Sequence, residues 1–241
     1  MITTFKVLSL LLSYPTREIA GGAPELREAL AKEDLLSPKA RAALEPLFRS
    51  FEEEDIYDLQ EQFVFLFDRT KTLSLHLFEH VHGESRDRGQ AMVNLKEVYE
   101  EKGFDFATNE LPDYVPAFLE FLAVCNWEEA QGHLNSPLHI FCSLKERLLE
   151  KESPYAAIFS ALESLASEKP DAKIVEEMLK VPTDNPDNLE ELDRAWEDAA
   201  VEFGPSADPE EGCPKVSSIL DQMKLDPATR DALAARDQGA G

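Results

Sequence analysis

The stretch Ser37–Phe67, SPKARAALEPLFRSFEEEDIYDLQEQFVFLF, contains two amphipathic segments that each begin with a helix-capping residue. Ser37 followed by Pro38 is typical of a helix start, because the serine oxygen can accept a backbone N–H and proline suits the first turn. Asp55 occupies the same position before the second segment. Apolar residues then recur at the three- and four-residue spacing of a buried helix face: Ala40, Leu44, Leu47 and Phe51 in the first segment, and Ile56, Leu59, Phe63, Leu66 and Phe67 in the second. The stretch therefore predicts two helices that pack into a core.

The same periodicity recurs along most of the chain, whereas the alternation of apolar and polar residues that marks a β-strand is almost absent. It predicts an all-α, single-domain, multi-helix bundle over residues 1–203. We expect a first helix with Thr3 or Thr4 as its cap and Pro15 as its stop, and two helices that meet between Ser74 and Gly103, the second of them ending at Gly103. Later helices are expected at about 113–124, 137–149, 154–166, 171–179 and 189–201. Residues 204–241 are expected to form a flexible, acidic tail with a short helix at 216–223.

The charge balance excludes several classes of partner. The 24 Lys and Arg residues face 48 Asp and Glu residues, which leaves a formal net charge of −24. That charge repels phosphate backbones and anionic membranes and favours a cationic peptide segment.

No apolar stretch reaches the roughly 18 residues of a membrane span. Three widely spaced cysteines, Cys125, Cys142 and Cys213, are interpreted as reduced thiols of a cytoplasmic protein.

The densest group of reactive side chains lies in SLHLFEHVHGESRDRGQAM, Ser74–Met92. His76 and His80 are four residues apart and would share a helix face, with His82 and Glu84 just beyond, so a metal site is one interpretation. A hydrolase triad is another, with Ser85 as nucleophile, His80 or His82 as base, and Asp87 or Glu79 behind it. Neither a zinc-protease spacing nor a nucleophile-elbow pattern accompanies these residues.

A third interpretation of the same residues is a charge cluster. Arg86 and Arg88 would pair with Glu79, Glu84 or Asp87, because the planar guanidinium suits partly buried ion pairs. Such a cluster would fix how two helices meet, or present polar groups to a protein partner.

Two motifs carry a resemblance to a known family. LFEHVHGESRDRGQAM, Leu77–Met92, together with FVFLFDRT, Phe63–Thr70, resembles the nitrate reductase molybdenum cofactor assembly chaperones, also called delta subunits. ELPDYVPAFLEFL, Glu110–Leu122, is similar to the E-P-x-D-H motif and following helix of the wider family of redox-enzyme maturation chaperones. Leu111 stands in place of the motif proline and Tyr114 in place of its histidine, which casts doubt on any role given to that histidine elsewhere. The resemblance covers roughly residues 1–203.

The resemblance implies an all-α fold, a cytoplasmic location and no enzymatic activity. It implies a client, the apo catalytic α subunit of respiratory nitrate reductase, bound partly through its N-terminal segment, with molybdenum cofactor biosynthesis proteins as further partners. It also implies that the protein assists insertion of bis-molybdopterin guanine dinucleotide and an iron–sulfur cluster into the client, while holding no cofactor permanently. The residues expected to face the client or shape its groove are His80, His82, Glu84, Ser85, Arg86, Asp87, Arg88, Gln90, Glu110, Asp113 and Tyr114.

Overall fold

A computed structural model describes residues 1–82, 87–104 and 110–183. The α-helices within these residues are α1 Thr3–Leu11, α2 Arg17–Gly21, α3 Ala23–Glu33, α4 Pro38–Glu53, α5 Ile56–Phe63, α6 Glu79–His82, α7 Asp87–Glu101, α8 Val115–Val124, α9 Trp127–Asn135, α10 Leu138–Glu150, α11 Ala156–Leu165 and α12 Ala172–Leu179. No β-strand occurs in the described residues, where the only extended pairing is one isolated bridge. The predicted all-α bundle is confirmed.

Helices α1 and α8 form the centre of the bundle. Seven of the ten residues of α8 are buried, and α1 lies against it with Phe5, Val7, Leu8 and Leu11 buried. Three polar contacts join this pair of segments: the Ser9 hydroxyl donates to the Pro116 carbonyl at 2.8 Å, the Ile2 amide donates to the Ala123 carbonyl at 2.7 Å, and the Lys6 ammonium donates to the Glu120 carboxylate at 2.5 Å. The N-terminal segment is therefore a core helix, as its spacing predicts. The expectation that Thr3 or Thr4 caps it is wrong, because both lie within α1, its N-cap is Ile2, and the Thr4 hydroxyl donates to Glu33.

The two capped segments form α4 and α5. The Ser37 hydroxyl accepts the Ala40 amide at 3.2 Å and the Asp55 carboxylate accepts the Tyr57 amide at 2.9 Å, so both predicted caps are confirmed. The apolar residues predicted to form the buried faces of α4 and α5 are buried, except Ala40, which is half-buried. The second segment is not α-helical to its end, because a π-helical turn spans Val64–Asp68. This turn keeps Leu66 and Phe67 in the core.

Helices α10, α11 and α12 pack together at the other end of the described chain. Arg147 of α10 is buried, and its guanidinium donates to the carbonyls of Met178 and Val181 at 2.7 and 2.8 Å and to the Thr183 hydroxyl at 2.6 Å. Met178 lies in the last turn of α12 and Val181 two residues beyond its end, where the negative end of the helix dipole favours a cation. Arg147 thus fixes residues 178–183 on the bundle.

Several sequence expectations need correction or stay open. The helix expected from Ser74 is reduced to the single turn α6, and α2, α3 and α9 are helices that the sequence analysis did not single out. The expected end of α7 at Gly103 is confirmed, because Gly103 has a φ of 71°. The helices expected at 189–201 and 216–223, and the proposed boundary between 203 and 204, lie outside the described residues and stay predictions. No helix in the described part of the chain is long and apolar enough to cross a membrane.

Candidate functional site

The side chain of Asp113 lies at the centre of a buried polar junction. Asp113 is 0% exposed and comes two residues before α8. Its Oδ1 lies 3.2 Å from His76 Nδ1, and its Oδ2 accepts the Phe78 amide at 3.1 Å. The guanidinium of Arg88 lies 3.8 Å from the same Oδ2. One carboxylate therefore contacts three groups that arrive from two other segments of the chain.

Backbone hydrogen bonds align these segments. The Leu77 amide donates to the Asp113 carbonyl at 3.0 Å, and the Val115 amide donates to the Leu75 carbonyl at 2.8 Å. Between them His76 and Tyr114 form the isolated antiparallel bridge, with their rings 5.4 Å apart. Residues 75–78 therefore run alongside residues 113–115, and we call these two strips with Arg88 the junction.

Arg88 connects the junction to α6 and α7. Its guanidinium donates to the Glu79 carboxylate at 3.2 Å, so this part of the expected charge cluster is confirmed. Its Nε is buried and has no hydrogen-bond partner within the described residues. A guanidinium held between two carboxylates is well suited to fix how α7 approaches the start of α8.

Tyr99 supports the junction from α7. Its hydroxyl donates to the Pro112 carbonyl at 2.8 Å, and its fully buried ring lies 4.5 Å from the Phe121 ring of α8. Burial raises the pKa of Tyr99 well above its usual value, so the phenol stays protonated and donates. The Pro112 carbonyl is thereby held just ahead of Asp113.

The two histidines at the junction differ in their protonation. The hydrogen bond to Asp113 raises the pKa of His76, although partial burial acts in the opposite direction. Burial lowers the pKa of His80, whose Nε2 donates to the Ser74 carbonyl at 2.8 Å. His80 is therefore a neutral structural donor, whereas His76 favours the charged form beside a carboxylate.

Three of the other expected site residues are exposed at the surface. Asp87 and Gln90 are exposed on α7, where Gln90 donates to Asn94 at 2.8 Å, and Glu110 is exposed ahead of the junction. Tyr114 is half-buried, and burial raises its pKa, with the charges of Glu110 and Asp68 adding to the shift. Glu84, Ser85 and Arg86 lie outside the described residues, as does the side chain of His82.

The expectation that His76 and His80 share a helix face is wrong. His76 lies in the bridge to Tyr114 and not in a helix, because the backbone of Leu75, Leu77 and Phe78 and the His76 ring bond to residues 113–115. Among the described residues, no group of three or more His, Cys, Asp or Glu side chains could hold a metal ion. The proposed nucleophile Ser85 lies outside them, and His80 has its Nε2 committed to a backbone carbonyl.

Sequence comparison places the junction within a known family. The profile of the nitrate reductase delta subunit family matches residues 33–161, more than half of the chain. The chain belongs to this family. Both strips of the junction and Arg88 lie inside the matched region of this delta subunit family protein.

Individual relatives extend the match beyond that region. Over 198 residues the chain is 40% identical to the nitrate reductase molybdenum cofactor assembly chaperone NarJ of Escherichia coli strain K12, covering 82% of this chain and 83% of the relative. It is 37% identical over 202 residues to NarW of the same strain, named a probable chaperone of that kind, covering 82% of each. A probable NarJ of Bacillus subtilis strain 168 is 35% identical over 162 residues, 66% of this chain and 85% of that protein. The resemblance to the nitrate reductase molybdenum cofactor assembly chaperones is confirmed.

The site residues that the sequence analysis missed belong to the junction of this delta subunit family protein. His76 entered only as a possible metal ligand, and the Phe78 amide and the Tyr99 hydroxyl were not considered as partners of residues 112 and 113. The signal was present in part, since Asp113 was singled out in the motif. Its partner His76 is 37 residues away in sequence, and no local pattern connects them.

Proposed function

We propose that the protein is a system-specific chaperone that binds the apo catalytic α subunit of respiratory nitrate reductase, including its N-terminal segment. The chaperone keeps this client competent for insertion of bis-molybdopterin guanine dinucleotide and an iron–sulfur cluster, and for assembly before the complex docks at the membrane. The observation that carries the proposal is 40% identity over 82% of the chain to a protein named as a nitrate reductase molybdenum cofactor assembly chaperone. The proposal places the protein in the cytoplasm, without catalytic activity and with no permanently bound cofactor.

The junction suggests two roles for the proposed site residues. Asp113 and Arg88 are held by hydrogen bonds and ion pairs inside the fold, so their proposed role is to shape the binding surface. Asp87, Gln90 and Glu110 are exposed, and the apolar side chain of Leu111 is 44% exposed beside Glu110. The proposal assigns these surface residues, with Glu84, Ser85 and Arg86, to contact with the client.

The energetics suit a reversible complex. Burial of a few large apolar side chains is opposed by the free-energy cost of association. Such opposition suits a chaperone that must release the client once its cofactors are in place. The net charge of −24 would speed the encounter with a positively charged segment more than it would tighten the complex.

The proposal is tested by affinity purification of the full chain from cells that express the cognate nitrate reductase. We expect the α subunit to be enriched, with molybdenum far below one atom per subunit by elemental analysis. Recovery of no α subunit, or of only the cofactor-loaded subunit, would contradict the proposed function.

The surface assignment is tested with charge-reversing variants. We expect Asp87→Lys with Glu110→Lys, and separately Arg86→Glu, to reduce recovery of the client while leaving the unfolding temperature within a few degrees of the wild type. The matched control is Glu28→Lys with Glu168→Lys, which reverses two exposed acids that form no ion pair within the described residues. If all variants recover as much client as the wild type does, these residues do not contact the client.

A further inference from the structure

Helix α12 has an apolar surface that the described residues cover only in part. The helix packs against α10, and none of its residues is buried. By contrast, six of the ten residues of α11, which also packs against α10, are buried. The large apolar residues of α12 are all half-buried, and the residue just beyond its end is 53% exposed: Ile174, Val175, Met178 and Leu179, followed by Val181. We call these five residues the α12 surface, and it leaves room for a further packing element.

Both ends of α12 are held in place. At its C-terminal end, the buried Arg147 guanidinium donates to two backbone carbonyls and to the Thr183 hydroxyl, at 2.6 to 2.8 Å. At its N-terminal end, the Asp171 carboxylate accepts the Lys173 amide at 2.9 Å. The chain therefore continues from a fixed point at Thr183, two residues after Val181 and next to the α12 surface.

The sequence that follows this fixed point contains an amphipathic segment at 189–200, LEELDRAWEDAA. Asn188, with Glu191 three residues later, matches the pattern of a capping box at a helix start. The apolar residues of the segment then recur at helical spacing: Leu189, Leu192, Trp196, Ala199 and Ala200. Charged residues occupy the positions between them. This pattern is typical of a helix that packs one face on a folded body.

The connection to the segment is short enough to bring it onto α12. Five residues, 184–188, separate Thr183 from Leu189. Six residue steps of fully extended chain span at most about 20 Å. The eight residues of α12 form a helix about 12 Å long. The segment can therefore reach the whole of the α12 surface.

The charge around α12 favours this segment over other occupants. Residues 169–180 contain three lysines and three acids, so their formal charge is zero in a chain with a net charge of −24. The segment 189–200 contains five acids and one arginine, which leaves a formal charge of −4. A neutral surface does not repel this acidic segment, and it does not attract a cationic peptide. A second copy of the chain would bring its own charge of −24, which opposes self-association.

We propose that residues 189–200 fold back as an amphipathic helix on the α12 surface. Leu189, Leu192 and Trp196 lie against the half-buried apolar residues of α12, and the acidic face of the segment faces solvent. The occupant of this surface is thus a segment of the same chain, and neither the client nor a second copy. The inference is independent of the proposed function, because it concerns packing within one chain.

Trp196 is a direct probe of this docking, because the chain has two tryptophans and the other is Trp127. The test uses the full chain with Trp127→Phe, which keeps an aromatic ring beside Phe5 and leaves Trp196 as the single tryptophan. Acrylamide quenching of its fluorescence and its emission maximum are measured in native and in urea-unfolded protein. We expect quenching to be about 3-fold weaker in the native protein, with emission at shorter wavelength, because a docked indole is shielded from water.

Two variants in this background identify the surface against which the tryptophan packs. Val175→Ala with Leu179→Ala removes apolar side chains from α12 and keeps it rich in good helix formers. Leu189→Ala with Leu192→Ala weakens the segment and changes no residue of the described bundle, so it cannot remove a contact within that bundle. We expect each variant to increase native quenching by about 2-fold or more, because the apolar area that holds the segment is lost. Far-UV circular dichroism checks that both variants stay helical.

The matched control is Val93→Ala with Val124→Ala, which shortens two apolar side chains that are 50% and 51% exposed outside α12. The control should be quenched as its parent is. If Trp196 is quenched as strongly in the native as in the unfolded protein, the segment does not dock and the inference fails. Docking elsewhere on the chain is shown if Trp196 is shielded and the α12 variant changes nothing, which also overturns the inference. Shielding that increases with protein concentration would assign the surface to a second copy instead.

Discussion

His76 Nδ1 lies 3.2 Å from Asp113 Oδ1, and this contact joins two segments that are 37 residues apart in sequence. Asp113 is fully buried, whereas the His76 side chain is 28% exposed. The same carboxylate accepts the Phe78 amide and faces Arg88. A buried carboxylate needs such partners, because an ionised oxygen without them would be strongly disfavoured.

The contact predicts a pH dependence of stability. Its partner Asp113 raises the pKa of His76 above the ordinary 6.5, so the protonated form is favoured in the folded state. The stabilisation is therefore fully present below about pH 6.5 and is lost as the pH rises through the folded-state pKa. We expect His76→Gln to lower the free energy of unfolding more at pH 6 than at pH 8.5, measured by urea denaturation.

The comparison with His76→Gln separates this effect from three other histidines. Burial lowers the pKa of His80, His133 and His139, so their protonation destabilises the fold as the pH falls. These residues are present in both proteins and cancel in the difference. A difference that grows from pH 6 to pH 8.5 would show that the His76 and Asp113 contact does not favour the charged imidazole.

Asp113 itself should be one of the most sensitive positions in the chain. Asp113→Ala removes the acceptor of the Phe78 amide and one of the two carboxylates facing Arg88. We expect a loss of about 2–5 kcal/mol in the free energy of unfolding, because breaking a buried charged pair leaves its partners unsatisfied. The control Asp87→Ala, at an exposed carboxylate on α7, should cost less than about 1 kcal/mol. Equal losses in chemical denaturation would contradict a structural role for Asp113.

The elements predicted correctly from sequence are those whose signals are local. Ser37 and Asp55 cap α4 and α5 because each side chain bonds an amide two or three residues away. Helix α9 was missed although Asn126 and Glu129 form a reciprocal capping box at its start. Only Ala130 and Leu134 of α9 are buried, so its sequence shows little apolar periodicity. The capping residues alone did not lead to the prediction of a helix.

The junction could not be predicted for the opposite reason. The periodicity of residues 74–82 favours a helix, but the Leu75 carbonyl and the amides of Leu77 and Phe78 bond to residues 113 and 115. These distant partners remove the hydrogen bonds that a helix over 74–78 would need. Motif resemblance located Asp113 without its contacts, and the approach of two segments 35 or more residues apart became apparent only in three dimensions.

Tyr99 provides a separate test of the support beneath the junction. Tyr99→Phe keeps the buried ring against Phe121 and removes the hydroxyl that donates to the Pro112 carbonyl at 2.8 Å. We expect a loss of about 0.5–1.5 kcal/mol in the free energy of unfolding. Tyr57→Phe is the matched control, because Tyr57 is 69% exposed and its loss should be close to zero. If both variants unfold at the same urea concentration as the wild type, the Pro112 contact contributes nothing to stability.

The two described cysteines should react slowly in the native protein. Cys125 and Cys142 are buried and free, and burial raises the pKa of each thiol to about 11. The thiolate is the reactive form, so little of it is present at pH 8. In a Cys213→Ser variant, which leaves these two thiols alone, we expect reaction with iodoacetamide to be at least about tenfold slower than in urea-unfolded protein. Rapid alkylation of either residue in the folded protein, located by mass spectrometry, would mean that α8 or α10 opens far more readily than its buried packing implies.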